Sequence, residues 1–432
     1  MRGRGLEFSE RTWLVVVAVL FLGAVLGSCS FGGSPTAGPS VSGSHSATTT
    51  PLATIVPSAS PTSTGTETAS PTETASPTPT PMPTPGKGHF GLTGSLVVGL
   101  LGHTATLLQD GRVLVVGGSM GLNGPAATAE LYDPKTGRFT LTGPLPEPHG
   151  GHTATLLADG KVLIVGGVSS TVTGLASAEI YDPATGRLSP TGSMAHDRSE
   201  HTATLLKNGR VLVAGGNDSS GTALASAEIY DPATGRFSRT GSMGQARTDF
   251  TANRLQDGQV LVAGGFVTTD EPLTSAELYD PATGRFSATG SMSQARYGAT
   301  ATLLRDGRVM VVGGNEGSPG NYAAIDAVEL YDPASRSFVQ GARTMVPRES
   351  HTETLLSDGR VLVAGGTNYS GEAITSSEVF DPGTGGFVRS GELTDANSAN
   401  ASATLLPDGR VLLAGGSAGE SGVRATAELW VP

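Results

Sequence analysis

The sequence holds little of what usually builds a chemical site. Cysteine occurs once, as Cys29, so neither a zinc framework nor a disulfide framework is expected. Positive charge is in deficit: 27 Lys and Arg stand against 38 Asp and Glu, for a net charge of −11. Nucleic-acid binding needs a basic face, and a chain of this balance does not offer one. Aromatic residues make up only 5%. Long apolar runs are missing too. The run WLVVVAVLFLGAVLG, residues 13 to 27, falls short of the ~20 residues that span a bilayer as a helix.

Glycine is what the chain has in excess. Its 62 residues are about twice the usual share of ~7%. With few aromatics and repeated proline, this predicts a turn-dense β protein. The 432 residues suffice for two or three ordinary domains or for one large closed all-β domain.

The N-terminus reads as an address. Arg2, Arg4 and Arg11 precede the apolar run, a length that suits a secretion signal. The run closes on Leu26-Gly27-Ser28-Cys29, which resembles the lipobox of bacterial lipoproteins. The resemblance implies a signal peptide over residues 1–28, lipidation at Cys29, and anchorage at the extracytoplasmic face of a cell membrane. More than one acyl chain is needed for a stable hold. Residues 29–86 follow, rich in Ser, Thr and Pro and ending SPTETASPTPTPMPTPG. Such a segment has too little apolar surface to offset the entropy of ordering, and it predicts a disordered tether. As a flexible coil it would reach roughly 40 Å.

From residue 87 to 432 the chain repeats itself. Paired glycines stand at 117/118, 166/167, 215/216, 264/265, 313/314, 365/366 and 415/416, spaced by 49, 49, 49, 49, 52 and 50. Each repeat predicts four short strands. A strand like HTATLL is joined to one like RVLVVGG through Asp-Gly (Asn208-Gly209 once), the strongest short hairpin signal. AELYD then turns through Asp-Pro-x-Thr-Gly into RFSATGS, with Pro presetting φ and Gly taking the left-handed place.

One such sheet cannot bury both faces, but seven around an axis can. The period and glycine pairs resemble kelch repeats, in their bacterial form. This implies an all-β, seven-bladed kelch-type β-propeller with four-stranded blades. Where the family carries Trp, this chain has Phe139, Leu188, Phe237, Phe286, Phe338 and Phe387. Tyr132, Tyr181, Tyr230, Tyr279 and Tyr331 match the family's third-strand aromatic, with Phe380 and Trp430 in the last two repeats. The last repeat ends after its third strand, while FGLTGSL at 90–96 matches FSATGSM. The N-terminal strand is therefore expected to complete the last blade and close the ring.

Repeat position also sorts candidate residues. What recurs in every blade serves the shared frame, whereas a single site must break the symmetry. Glu130, Glu179, Glu228, Glu277, Glu329, Glu378 and Glu428 recur and so predict structural carboxylates, bonded to backbone N–H groups or to Arg198, Arg247, Arg296 or Arg348. His103, His152, His201 and His351 open four first strands and predict hydrogen-bonded roles near the channel mouth rather than metal ligands. The kelch fold also underlies galactose oxidase. That resemblance would require a copper site with a cysteine cross-linked to tyrosine, and the repeats contain no cysteine. Copper radical oxidase activity is therefore not expected, and no metal or other cofactor is expected.

The loops after the glycine pairs share one face and differ between repeats. Binding residues concentrate on such loops. Asp218, Phe266, Asp270, Glu271, Asn315, Glu316, Tyr322, Asn368, Tyr369, Glu372 and Glu420 are the candidate ligand-binding residues. The expected function is a membrane-anchored extracytoplasmic binding module, monomeric, with a carbohydrate or protein ligand. The alternatives are a glycan-acting enzyme using acids of the variable face, or an adaptor docking another envelope protein.

Overall fold

The computed structural model describes residues 88–169, 174–267, 271–317, 323–395, 399–418 and 422–432. The signal peptide, Cys29 and the tether lie outside them. No helix among the described residues is long and apolar enough to cross a membrane.

Seven four-stranded antiparallel sheets account for the strands. In blade I the strands are Thr104–Leu107, Val113–Val116, Ala129–Asp133 and Arg138–Leu141, each paired with the next in sequence. Blades II to VI repeat this order. Blade VII takes three strands from Ser402–Leu405, Val411–Ala414 and Ala427–Val431, and its fourth from His89–Leu92. The register is His89 against Val431, Phe90 against Trp430 and Leu92 against Glu428. Ring closure thus follows the expectation. The regular strand is shorter than 90–96, but the backbone tie continues: Thr93 and Leu96 donate to the carbonyls of Ala427 and Ala425.

The first strands of neighbouring blades lie side by side all the way round, so they line the channel. The second strand of each blade is wholly buried, as VLVV in blade I. Apolar faces of adjacent blades meet in seven clusters, and each holds one outer-strand aromatic or its Leu188 substitute. Tyr132 and Phe139 pack with ring centroids 4.8 Å apart, and four further blades repeat the pair. Phenylalanine, with Leu188 in blade II, therefore fills the space between blades at this position.

The most repeated phrase of the sequence ties blade to blade. The Thr of each outer-strand Thr-Gly hydrogen-bonds the buried tyrosine of the next blade, as in Thr191 to Tyr230 at 2.8 Å. The following glycine donates to the carbonyl of the next blade's Asp-Pro-x-Thr-Gly turn, Gly192 N to Gly235 O at 2.9 Å. At Gly143 a Cβ would stand 2.5 Å from the Gly186 carbonyl oxygen, so only glycine allows this approach.

The recurring glutamates clamp each blade to the connection that leads into it. Glu277 accepts hydrogen bonds from the backbone N–H groups of Gly244 and Gln245. Arg247 from the same connection donates to Glu277 and to the carbonyls of Gly264 and Ser275. Arg198–Glu228, Arg296–Glu329 and Arg348–Glu378 repeat the ion pair at 2.7 to 3.1 Å, fully desolvated. A buried carboxylate held this way has its charge balanced and its lone pairs occupied.

Candidate functional site: the channel mouth on the variable-loop face

Each chain segment entering a first strand makes one sharp turn. The residue at that turn is Gly102, Gly151, Glu200, Asp249, Gly298, Ser350 or Asn400, and all seven have φ between 49° and 63°. This left-handed conformation suits glycine and strains most other residues by about 1 kcal/mol or more. Backbone hydrogen bonds run from one ring member to another: Glu200 N to Gly151 O, Gly298 N to Asp249 O, Asn400 N to Ser350 O and Gly102 N to Asn400 O, at 2.9 to 3.0 Å. These residues therefore form a ring around the channel mouth. It opens on the same face as the loops that follow the glycine pairs.

Three members are glycine and four carry polar side chains. Their frame is sevenfold, but their chemistry is not. Acids come from blades III and IV, neutral hydrogen-bonding groups from VI and VII. The Glu200 and Asp249 carboxyl groups hydrogen-bond to each other. Burial raises both above the ordinary carboxyl range, and for Asp249 the neighbouring Glu200 charge adds to the rise. Two carboxyls this close hold one proton between them. The mouth thus carries a carboxyl pair together with a hydroxyl and an amide, groups that both donate and accept.

The channel wall behind the ring is histidine-rich and neutral. The Nε2 atoms of His103, His152, His201 and His351 stand 2.7 to 3.0 Å from hydroxyls of the preceding blade: Ser402, Thr104, Thr153 and Thr300. Burial pushes His103 down to about 4 and His351 to about 3. These are structural imidazoles, as their repeat position indicates. Glu353 replaces the alanine of the other first strands, and burial raises its carboxyl to about 7.

The loop candidates divide by what holds them. Asp218 accepts from Ser220 N and Thr222 N, and Asn368 accepts from Ser370 N and Glu372 N, so both fold their own loops. Asn368 also donates to the Glu372 carboxylate at 2.9 Å. Asn315 is fully buried and donates to Glu349 at 2.7 Å while accepting from Gly317 N and Ala323 N. Phe266 packs edge-on against Tyr297, with centroids 5.0 Å apart. Glu316 accepts from Gln294. Glu271 and Tyr369 project outward; Tyr369 is 71% exposed. Asp270, Tyr322 and Glu420 lie outside the described residues. Loop composition pointed to these positions, but the ring residues Glu200, Asp249, Ser350 and Asn400 were missed. Their signal was present: a position that is glycine in three repeats and polar in four.

Sheet order, ring closure and glycine framework define a seven-bladed kelch-type β-propeller. Residues 102–314 match the KLHDC2/KLHL20/DRC7 Kelch-repeats domain. No curated protein sequence matches the chain significantly. Many solved structures share its fold. One is a fungal alcohol oxidase of the AA5 family in complex with copper, 18% identical, with a TM-score of 0.66 over 80% of this chain and 77% of that one. Another is YjhT, 13% identical, with a TM-score of 0.56 over 69% of this chain and 99% of that one. At these identities the likeness is one of fold. The donors for a cysteine–tyrosine copper centre do not fit: Cys29 precedes the repeats, and tyrosines such as Tyr132 and Tyr230 are buried between blades and bonded to threonine.

Proposed function

We propose that this propeller is an extracytoplasmic binding module, lipid-anchored through Cys29, that takes a polar ligand at the channel mouth. Glu200, Asp249, Ser350 and Asn400, held in a conformation that glycine fills in the other blades, carry this reading. Strain kept at one mouth of an otherwise regular frame marks function. Convergent acid, amide and hydroxyl groups favour a carbohydrate or another hydroxyl-rich ligand. The lipobox-like end of the apolar run and the long Ser/Thr/Pro segment support display away from a membrane surface.

The enzyme alternative is less favoured by the pair's geometry. Hydrolysis of a glycoside by two carboxyls needs them at least ~5 Å apart, whereas Glu200 and Asp249 are in hydrogen-bond contact. An adaptor needs a broad apolar patch. The exposed aliphatics Leu92, Leu141, Val339 and Val388 instead lie one each on the outer strands of four blades, with Val97 and Leu122 in connecting segments.

The test is titration of the full-length chain with neutral and acidic oligosaccharides and peptidoglycan fragments, beside a variant with glycine at 200, 249, 350 and 400. Glycine suits the ring geometry, so the variant should fold and should lose binding at least about 10-fold. Equal binding by both proteins would remove the mouth from the function.

A further inference from the structure

The clamp between blade and connection changes in blade II. Blades III to VI place Arg198, Arg247, Arg296 and Arg348 against the recurring glutamate, but blade II has His149 against Glu179. Two residues earlier, blades IV and V have Gln245 and Gln294, where blade II has Glu147. The trio Gln245, Arg247 and Glu277 sums to zero charge. Glu147, a neutral His149 and Glu179 sum to minus two. A shorter side chain has thus replaced the guanidinium, and an extra carboxylate has been added beside it.

Tautomer and geometry point the same way. His149 Nδ1 lies 2.7 Å from the Gly166 carbonyl oxygen, so it must be the protonated nitrogen. Its Nε2 lone pair then faces Glu179 Oε2 at 3.3 Å, acceptor towards acceptor. Neither atom has a hydrogen-bond partner, and the two residues are 0% and 3% exposed. Two ligands each about 2.1 Å from a tetrahedral ion stand about 3.4 Å apart. Donor atoms of Glu147, His149 and Glu179 all lie within 4.8 Å of one another, the only such trio among the described residues. The outer partners are in place as well. Gly166 O fixes the imidazole, and Ser177 Oγ donates to Glu147 Oε1 at 2.7 Å.

We propose that Glu147, His149 and Glu179 bind one divalent transition-metal ion of the zinc class, with the fourth position left to water. An imidazole with two carboxylates suits zinc, while magnesium and calcium prefer oxygen donors alone. The ion supplies the two positive charges that the cluster lacks and takes the place the guanidinium fills in blades III to VI. Without it, the His149 Nε2 lone pair and Glu179 Oε2 face each other in the interior with no donor between them. The sequence reading expected no metal here, because it followed the four first-strand histidines and passed over His149.

The test uses the full-length chain, stripped by chelator and titrated with zinc chloride, with magnesium chloride as control. One zinc ion per chain should bind in calorimetry and raise the melting temperature, and magnesium should do neither. The double substitution His149→Arg with Glu147→Gln recreates the trio of blade IV. It should melt in chelator at or above the parent, yet bind zinc at least about 100-fold more weakly. Ser177→Ala should weaken binding about 10-fold. Absence of stoichiometric zinc binding would overturn the proposal and leave a shared proton as the clamp. Unchanged affinity in the double variant would overturn it equally, by placing the ion elsewhere.

Discussion

Phe90 and Trp430 face each other across an antiparallel strand pair, although they come from opposite ends of the repeat region. Both belong to the apolar cluster between blades VI and VII, and the Trp430 Nε1–H donates to Ser390 Oγ at 3.0 Å. Deleting residues 87–97 removes that ladder, the Phe90 and Leu96 side chains, and the Val97 N–H group that Glu130 accepts from. At ~25 cal/mol per Å² of apolar burial, with the orphaned bonds added, the loss should reach several kcal/mol of the ~5–15 that stabilise a domain. Deleting residues 35–80 should leave the melting temperature unchanged. Equal melting of the two truncations would mean that the ring does not depend on this closure.

Blade V departs from the turn phrase at two residues, Ser335 in place of Thr and Arg336 in place of Gly. Arg336 has φ 54°, where Gly137, Gly186, Gly235, Gly284 and Gly385 have 65° to 69°. Its carbonyl still accepts from Gly290 N at 3.0 Å, so the tie between blades is kept and only the strain is added. Arg336→Gly should stabilise the protein by about 0.5–1 kcal/mol, since relief of left-handed strain exceeds the entropy glycine adds to the unfolded chain. Urea midpoints at constant m-value measure this, and a lower midpoint would contradict it.

The buried clamp predicts a non-additive pair. Arg247→Leu strands the Glu277 charge in the interior and leaves the Gly264 and Ser275 carbonyls short of a donor. A loss of about 3–5 kcal/mol is expected. Adding Glu277→Gln should recover part of it, because the amide carries no charge and its oxygen can still accept from Gly244 N. Blade I shows the limit of tolerance: Leu100 occupies the arginine position, and Glu130 keeps only its two backbone donors while burial raises its carboxyl. If the double variant is no better than the single one, charge is not what the arginine compensates.

Much of this architecture was legible because each blade repeats the same local instruction. Asp-Gly and Asp-Pro-x-Thr-Gly specify turns on their own, and alternation in HTATLL and AELYD fixes which faces meet. The ring closure could be counted. What the sequence did not disclose was which side chains of neighbouring repeats meet. Glu200 and Asp249 look like ordinary polar residues until the left-handed turn brings their carboxyls together. Asn315 and Asn368 looked like ligand groups, because a loop's own turns use the same amides that a ligand would. His149 fell between two expectations, being neither a first-strand histidine nor a clamp arginine.

The neutral channel histidines set an acid limit. A histidine depressed in the folded state contributes stability fully present above the free-imidazole value and lost as pH falls below it. His351, held at about 3, therefore costs stability from about pH 6.5 downwards, and His201 is lowered in the same sense by burial and by Arg198. Each contributes about 1.4 kcal/mol per pH unit in that window. Phe250 already occupies the corresponding place in blade IV, so His201→Phe should fold and should flatten the acid limb by about that slope. Melting curves from pH 7 to 4 decide it; a parallel shift without change of slope would reject the assignment.

The carboxyl pair at the channel mouth has the opposite sign. Glu200 and Asp249 are both raised, so the folded state binds protons more tightly than the unfolded chain. Stability from this pair is fully present below the ordinary carboxyl range near pH 4, and it is lost as pH rises through the raised values. Glu200→Gln removes one of the two acids and leaves Asp249 beside a neutral amide that can still donate to it. The variant should lose less stability than the parent as pH rises from 4 towards neutrality, while its acid limb below pH 4 is unchanged. A ligand that presents hydroxyls to the shared proton should bind the parent more weakly once that proton is lost, and the variant should show no such fall. Stability measured by urea midpoint and affinity measured by calorimetry, on one pH series, separate the two effects. If parent and variant lose stability in parallel above pH 4, Glu200 and Asp249 do not share a proton, and the mouth carries two independent carboxylates instead.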